Sequence, residues 1–486
     1  MTVQAWFGEV ALTRVLLQRG VGAIYVLAFW NALNQFRPLL GERGLLPVPA
    51  FLARVPFREA PSLFYLGYSD RRLAWVGGAG LGLSLLTVTG VADSGPVWLS
   101  LAIWLSLYLL YLSIVNVGQT FYAFGWESML LEAGFFVAFL GPSTASPSYV
   151  PVLALRWMLF RVELGAGLIK LRGDPCWRDL TCLYYHHETQ PLPNPLSLYF
   201  HHGPKALHRA SVAFSHFVQL VAPFGLFGPQ WLSAVAGCFL VLQQLVLILS
   251  GNYAWLNWLT VVLGFSAFSD EMLSVLLPAF VTPLAPRPVA FEWLLYGLGI
   301  VTVLLSVRPV LNLLSKNQAM NQAYNPLHLV GTYGAFGSVT RARHEVIVEG
   351  TASPSLEGAE WREYEFKAKP GNPRRRAPQW APYHLRLDWL MWFLPLRVMI
   401  TPSRLLSRGH PLWFTRFVQK LLLNDAATLA LLRENPFPDA APRYVRASFY
   451  AYELASPSES LKAGVHWRRR YLGEYLAPRA LEETSL

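Results

Sequence analysis

The residues best suited to chemistry lie in one apolar run, at about residues 150–171, which carries Arg156, Glu163 and Lys170. Each of the three is seven residues from the next, close to two turns of an α-helix, so all three lie near one face. Each step rises about 10.5 Å along the helix axis, at about 1.5 Å per residue. The three charges are therefore too far apart to pair with one another, and they need partners on other elements.

Two interpretations of these charges stay open. In the first, they form an intramembrane ion-pair network with two glutamates of the preceding run, and this network fixes how the helices pack; its members are Glu127, Glu132, Arg156, Glu163 and Lys170. In the second, Lys170 lies at the mouth of a polar cavity and acts as a base or nucleophile, with Glu163 or Glu132 tuning it. An ionisable residue inside an apolar helix marks a candidate functional site under either interpretation.

A short polar segment follows Lys170 and contains Cys176, Cys182 and the triplet His186–Glu188. The spacing of the two cysteines is uncommon for zinc and thioredoxin-type sites, so they are either a disulfide in an oxidising compartment or two reduced thiols in a buried turn. Adjacent histidines point in different directions on any regular element, and the sequence has no HExxH, GxSxG or P-loop pattern. We therefore predict neither a metal site nor a cofactor.

The composition indicates which elements must hold these residues. Of the 486 residues, 53% are hydrophobic and 14% are charged, whereas a soluble protein spends about a quarter of its residues on charge. We therefore predict a polytopic α-helical membrane protein. A bilayer core takes about 20 helical residues, which gives about eight or nine hydrophobic helices, some of them re-entrant. The apolar runs are 12–35, 72–91, 97–117, 126–141, 150–171, 208–228, 231–250, 253–268 and 291–308.

Near residue 310 the long apolar runs give way to proline, charged residues and short strand-like runs. This change in composition predicts a second domain. Alternating residues predict half-buried strands at 344–350, 362–369 and 444–454, with helical patterns at about 411–424 and 425–434 between them. The chain is thus divided into a transmembrane domain, residues 1–309, and an extramembrane mixed α/β domain, residues 310–486.

The positive charge indicates a lipid partner. The net charge is +11, and most of the excess lies after residue 310, where it favours contact with anionic lipid head groups over nucleic acid. The segment Arg37–Arg72 mixes arginines with apolar residues and is predicted to lie at the membrane interface. The positive-inside rule places this segment in the cytoplasm.

Several long segments resemble the lipase maturation factor family of membrane proteins. The matching segments run from Phe124 to Pro478, and they are FGWESMLLEAGF, GDPCWRDLTC, HHETQPLPNPLS, SGNYAWLNWLT, NPLHLVGTYGAFGSVTRARHEVIVEGT, LDWLMWFLPL and WRRRYLGEYLAP. The resemblance implies a protein of the animal endoplasmic reticulum membrane whose large lumenal C-terminal domain helps dimeric lipases to fold and assemble. It also implies that Cys176 and Cys182 form an extracytoplasmic disulfide.

The absence of N-x-[ST] sequences and the abundant Arg, Ala and Pro suggest a bacterial relative. Its location would be the bacterial inner membrane, with the C-terminal domain outside the cytoplasm. Our leading hypothesis is a maturation factor that holds client enzymes, such as lipases, on an aromatic surface at Trp389, Trp392 and Phe393, and that is not itself an enzyme.

A more distant likeness covers only the membrane half. The sequence GAGLIKL, followed by a polar stretch and a Trp, is similar to the helix that ends in the catalytic lysine of vitamin K-dependent carboxylases. The lysine pair of that family corresponds here to Ile169 and Lys170. The alternative hypothesis is therefore a membrane enzyme that acts on a lipophilic substrate, with Lys170 as base.

Overall fold

The fold is taken from a computed structural model, which describes residues 6–275, 284–400, 405–407 and 409–481. Nine helices in this part of the chain form an N-terminal bundle. They are α1 (Ala11–Leu40), α2 (Asp70–Thr89), α3 (Val97–Asn116), α4 (Gly125–Val137), α5 (Tyr149–Arg172), α6 (Lys205–Leu220), α7 (Gln230–Ser250), α8 (Leu256–Gly264) and α9 (Val289–Leu314).

Short helices and 3₁₀ turns connect the nine helices. The short α-helices are Val48–Leu52, Gln119–Tyr122, Pro175–Arg178, Leu183–Thr189, Ser197–His201, Ala222–Gly225 and Asp270–Leu273. The 3₁₀ turns are Leu63–Leu66, Val91–Asp93, Ala138–Leu140 and Phe265–Ala267.

Five of the helices, α1, α2, α3, α7 and α9, are long and apolar enough to cross a membrane. Helix α5 has 24 residues, which span about 36 Å at about 1.5 Å per residue, but its charged residues lower its hydropathy. The prediction of a polytopic helical membrane protein is confirmed. The run at 253–268 forms only a short apolar helix, Leu256–Ala267. The last helix, α9, continues to Leu314, beyond the predicted domain boundary at 309.

Successive helices of the bundle run in opposite directions, so the connecting segments collect on two faces. On the first face, the backbone N–H of Ala11 donates to Asp270 over 2.7 Å, and that of Ser143 donates to the carbonyl of Asp93 over 2.9 Å. The Tyr149 hydroxyl donates to the carbonyl of Gly8 over 2.6 Å. The start of α1 therefore lies beside the start of α5 and the segment after α8, and the segment after α2 lies beside the one that joins α4 to α5.

The second face, called the domain face below, carries the C-terminal domain and the segment Arg37–Arg72. Arg416 of that domain donates to the carbonyl of Leu45 over 3.1 Å, and Gln119 donates to the carbonyl of Leu46 over 2.9 Å. The arginine-rich segment and the C-terminal domain thus lie on the same side of the bundle. The two sequence-based orientations, cytoplasmic for the segment and extracytoplasmic for the domain, are therefore incompatible.

The C-terminal domain is built on a four-stranded antiparallel sheet with the order β2-β1-β5-β6. Its strands are β1 (Arg343–Thr351), β2 (Arg362–Glu363), β5 (Tyr444–Leu454) and β6 (Trp467–Arg479), and a separate hairpin pairs β3 (Val398–Ile400) with β4 (Leu405–Ser407). The helices are α10 (Arg386–Met391), α11 (Leu412–Leu422), α12 (Ala426–Leu429) and α13 (Pro457–Ala463), with a 3₁₀ turn at Pro395–Arg397.

Two of the predicted strands match the structure well, and the third does not. Residues 344–350 and 444–454 fall in β1 and β5, which pair along their whole common length, from Arg343 opposite Tyr452 to Thr351 opposite Tyr444. At 362–369, by contrast, only Arg362 and Glu363 form a strand. The side chains of the following residues, such as Tyr364 and Phe366, are buried in the core.

Candidate functional site

A buried ion pair of Glu127 on α4 with Arg386 on α10 joins the bundle to the C-terminal domain. The Arg386 guanidinium lies 2.7 Å from Glu127 Oε1, and neither side chain is exposed to solvent. The Tyr111 hydroxyl donates to the other oxygen of Glu127. The guanidinium also lies over the ring of Tyr122, 3.5 Å from its centroid. Both charges are therefore compensated within the protein.

Two polar side chains of helix α1 form hydrogen bonds with the same segment of the domain. The side-chain amides of Asn31 and Gln35 donate to the carbonyl of His384 over 2.6 and 2.7 Å. Their oxygens accept from Arg386, from its Nε to Asn31 over 2.9 Å and from its backbone N–H to Gln35 over 3.0 Å. Asn31 and Gln35, near the end of α1, therefore bind the C-terminal domain.

His384 lies at the centre of this interface in a cage of aromatic rings. The rings of Phe124, Trp126, Trp255 and Trp389 all meet its imidazole edge to face. Neither ring nitrogen has a hydrogen-bond partner within the described residues. Burial lowers the pKa of His384 well below its usual range, and the positive charge of Arg386 lowers it further. The imidazole is therefore neutral at physiological pH.

Glu132 forms a second buried ion pair, with Arg161 on α5. Its Oε2 also accepts from the backbone N–H of Gly331 over 3.0 Å and from the Tyr333 hydroxyl over 2.7 Å. Arg161 in turn donates to the carbonyl of Gly331. The pair thus fixes the loop that leads from α9 into the first strand of the domain.

Lys170 and Glu163 do not touch but are joined through a chain of buried amides. Lys170 Nζ donates to Gln219 Oε1 over 2.8 Å, and Gln219 Nε2 donates to Glu163 over 3.3 Å. Gln244 donates to the other oxygen of Glu163 over 2.7 Å. The ammonium also lies 4.8 Å from the centroid of the Trp177 ring. These contacts tie α5 to α6 and α7.

Arg156 has a different environment. Its guanidinium donates to the carbonyls of Ser266 and Leu226 over 2.7 and 3.1 Å and lies 4.6 Å from the centroid of the Phe7 ring. The five charges predicted to form one network therefore belong to four separate clusters, because their partners come from different elements. Arg161, which does not follow the seven-residue spacing, is the ion-pair partner of Glu132.

The segment after Lys170 packs between the bundle and the domain. Cys176 and Cys182 are joined in a disulfide and are buried. Asp174 forms an ion pair with Arg341 over 2.7 Å, and the pKa of Asp174 is lowered, mainly by this contact. The ligand atoms of Asp174, Cys176 and Cys182 lie within 4.8 Å of one another, but the disulfide and the ion pair engage them.

The end of that segment is held by a buried triad of charges in the domain. Glu345 on β1 lies 2.6 Å from Arg343 and 2.8 Å from Lys369, and all three side chains are buried. Arg343 also donates to the carbonyls of Glu188 and Pro191 over 2.9 and 3.1 Å. The proline-rich end of the segment thus connects the bundle to the sheet.

The predicted aromatic client surface is divided between interior and exterior. Trp389 is only 4% exposed and packs on Trp126, with ring centroids 5.0 Å apart. The indole N–H of Trp392 donates to the carbonyl of Thr189 over 2.9 Å. Of the three predicted residues, only Phe393 is exposed. The client-binding role of these residues stays a prediction.

Three more large apolar residues shortly after Phe393 in the chain are exposed, and sequence reasoning missed them. We name the group the apolar ridge, and its members are Phe393, Leu396, Met399 and Ile400, which are 40%, 48%, 57% and 48% exposed. The only signal in the sequence was the apolar composition of the segment, which does not tell an exposed turn from a buried one.

These features define a class of protein: a polytopic membrane protein whose extramembrane domain is fixed to one face of the helical bundle by buried ion pairs. Comparison with known proteins identifies the family. The lipase maturation factor transmembrane domain matches residues 12–275, and the lipase maturation factor C-terminal domain matches residues 329–477. The chain belongs to the lipase maturation factor family.

Individual relatives match along nearly the whole chain. Lipase maturation factor 1 of Bos taurus is 42% identical over 97% of this chain and 89% of its own length. The Homo sapiens protein of that name is 40% identical over 98% of this chain and 89% of its own length. Lipase maturation factor 2 of Homo sapiens is 28% identical over 98% of this chain and 84% of its own length. No solved structure matches the chain.

Proposed function

We propose that this protein assists the folding or assembly of lipases as a membrane-embedded holding factor. The names of its relatives support this role, as does the match to both domains of the family. The observation that carries the proposal is the apolar ridge on a domain that is locked to the bundle. Large exposed apolar side chains grouped in one short segment of a folded domain indicate a site of protein or membrane contact.

The ridge would hold a client without a chemical reaction. An incompletely folded lipase exposes apolar surface, and the burial of such surface contributes about 25 cal/mol per Å². Arg386 lies on α10, the helix that precedes the ridge, and its ion pair with Glu127 fixes that helix to the bundle. The position of the ridge relative to the membrane is then constant while a client is held.

We further propose that the domain face lies outside the cytoplasm. The disulfide of Cys176 with Cys182 supports this orientation, because disulfides persist in oxidising compartments. The membrane that we propose is the bacterial inner membrane, on the composition of the chain. The arginines of Arg37–Arg72 would then lie on the outer side, where they bind lipid head groups instead of marking the cytoplasm.

The alternative, a membrane enzyme with Lys170 as base, is not favoured. The relatives are named as maturation factors. Lys170 is engaged by Gln219 and Trp177 in a chain of contacts that joins three helices, which favours a packing role.

Two matched variants of the full-length protein test the proposed holding surface. We expect Met399→Ser with Ile400→Ser to weaken the capture of a partly unfolded lipase about tenfold, since an interface hot spot contributes about 1–2 kcal/mol. Leu461→Ser serves as the control, because Leu461 is 76% exposed but lies outside the ridge. Equal capture by the ridge variant and the control, with unchanged thermal unfolding, would exclude the ridge as the client surface.

A further inference from the structure

A cavity of about 460 Å³ opens between α1 and α2 at the domain face. It is lined by Leu33, Arg37, Asp70, Arg71, Leu73 and Ala74. One end is closed by the ion pair of Arg37 with Asp70, whose atoms are 3.2 Å apart. Apart from Arg71, the rest of the lining is apolar, and next to it the two helices approach closely at Gly77, where an added Cβ would lie 2.7 Å from Leu33. The cavity thus has a charged end and an apolar end.

The charged end carries positive charge that the protein leaves available. Arg37 is 72% exposed despite its ion pair, and Arg71 is exposed and makes no ion pair or hydrogen bond within the described residues. The Asp70 carboxylate already accepts from the backbone N–H of Glu42 over 3.0 Å and from the Tyr68 hydroxyl over 3.2 Å. Glu42 and Asp70 are the acids at this end, and an anion would meet both arginine side chains.

A stripe of small residues begins at Ala74 in the cavity lining and follows the exposed, outer side of α2. Ala74, Gly78 and Gly82 follow one another at intervals of four residues, which places them on one side of the helix. An added Cβ at Gly78 or Gly82 would meet no atom within 4 Å. From Arg71 to Gly82 the helix rises about 16 Å, at about 1.5 Å per residue, which is about half of the roughly 30 Å hydrocarbon core. The exposed Trp75 beside the stripe suits the membrane–water interface.

We propose that this cavity binds an anionic glycerophospholipid, with the phosphate at Arg37 and Arg71 and one acyl chain along Ala74, Gly78 and Gly82. Two guanidinium groups match a phosphate in charge and geometry. The length and small side chains of the stripe match a chain that spans one leaflet. The site is independent of the client role, because it faces lipid on α2 and shares no residue with the apolar ridge.

The test compares lipids that differ only in head group. Full-length protein in detergent is titrated with phosphatidylglycerol and with phosphatidylcholine of the same acyl chains, and bound lipid is counted by native mass spectrometry. Both lipids carry a phosphate, but phosphatidylcholine adds a cation that the two arginines repel, so we expect phosphatidylglycerol to bind about tenfold more tightly. Arg71→Gln should abolish this preference, whereas Arg58→Gln, an exposed arginine of the same segment outside the cavity, should preserve it.

A second pair of variants tests the acyl stripe. Gly78→Leu fills open space without a clash and should weaken both lipids about tenfold or more. Gly297→Leu, at another open glycine on α9, should leave binding unchanged. An unchanged preference in Arg71→Gln, unchanged binding in Gly78→Leu, or displacement of phosphatidylglycerol by inorganic phosphate would each overturn the assignment. The last result would indicate a site for a free anion.

Discussion

At the scale of the residue, charges inside the bundle act as locks between elements. Glu127 and Glu132 each hold an arginine from a different part of the chain, and Lys170 reaches Glu163 only through Gln219. The sequence reveals that such charges need partners. It does not reveal the partners, because Arg386 lies 259 residues from Glu127 and the contact depends on the tertiary fold.

Loss of Arg386 should be the most damaging single change at the domain interface. Arg386→Met leaves the buried Glu127 carboxylate without its cation, and such changes cost about 3–5 kcal/mol in the free energy of unfolding. The measurement is thermal unfolding together with limited proteolysis of the C-terminal domain. Arg446→Met is the control, because the ion pair of Arg446 with Glu349 is partly exposed and should contribute at most about 1 kcal/mol. Equal losses of stability in the two variants would contradict this role of the ion pair between Arg386 and Glu127.

Lys170→Met should lower stability and lipase maturation together. The substitution leaves Gln219 without its donor and Glu163 without the cation that it reaches through Gln219, at a cost of about 2 kcal/mol. Lys205→Met, at an exposed lysine at the start of α6, should change neither. Loss of maturation in Lys170→Met with an unchanged unfolding temperature would instead favour a catalytic lysine.

At the scale of the element, sequence periodicity predicts the helices and strands whose formation depends on local interactions. The long apolar helices and strands β1 and β5 follow their periodicities. Strand β6 escaped prediction because its sequence, WRRRYLGEYLAPR, places three arginines in succession, and the register shifts of its pairing with β5 break the alternation. The docking segment His384–Arg386 was missed because its burial comes entirely from the contacts of other elements.

The cage around His384 makes the docking segment sensitive to acid. In the folded protein, burial and the charge of Arg386 lower the pKa of His384, while the side chain in the unfolded state has a pKa of about 6.5. Below that pH the unfolded state binds a proton that the folded state does not. The free energy of unfolding should therefore fall by about 1.4 kcal/mol per pH unit as the pH decreases.

His384→Phe keeps an aromatic ring in the cage and removes this titration. We expect its stability to fall less steeply than that of the wild type between about pH 6.5 and 5, as followed by unfolding at each pH. The buried acids Glu188 and Asp388, whose pKa values are raised by burial, act in the opposite direction. They are common to both proteins, so the comparison cancels them. Identical slopes would contradict the assignment to His384.

At the scale of the whole molecule, the structure separates the connecting segments onto two faces. The segment Arg37–Arg72, the disulfide and the C-terminal domain share one face, and composition alone could not reveal this. Charge bias favoured the cytoplasm for the first of these, while the family resemblance placed the last outside. These two orientations conflict because tertiary contacts, such as that of Arg416 with Leu45, place the arginine-rich segment and the domain on the same face.

Labelling from one side of the membrane should reveal the orientation of the domain face. Single cysteines placed at exposed Arg58 and Arg374, in a Cys238→Ser background that keeps the disulfide, should both react with a membrane-impermeant maleimide added to intact cells. A cysteine at exposed Val91, on the opposite face, should react only after permeabilisation. Reaction of Val91→Cys in intact cells, with protection of the other two, would reverse the proposed orientation.

We propose that this protein matures lipases by holding them on a domain that buried ion pairs fix to the membrane bundle. The most direct measurement is the specific activity of a lipase expressed in cells that lack their own maturation factor, with and without this protein. We expect the wild-type protein to restore lipase activity, and the Met399→Ser, Ile400→Ser variant to fail to do so, although it folds and reaches the membrane. Inactive lipase in the presence of folded wild-type protein, or full rescue by the ridge variant, would contradict this proposal.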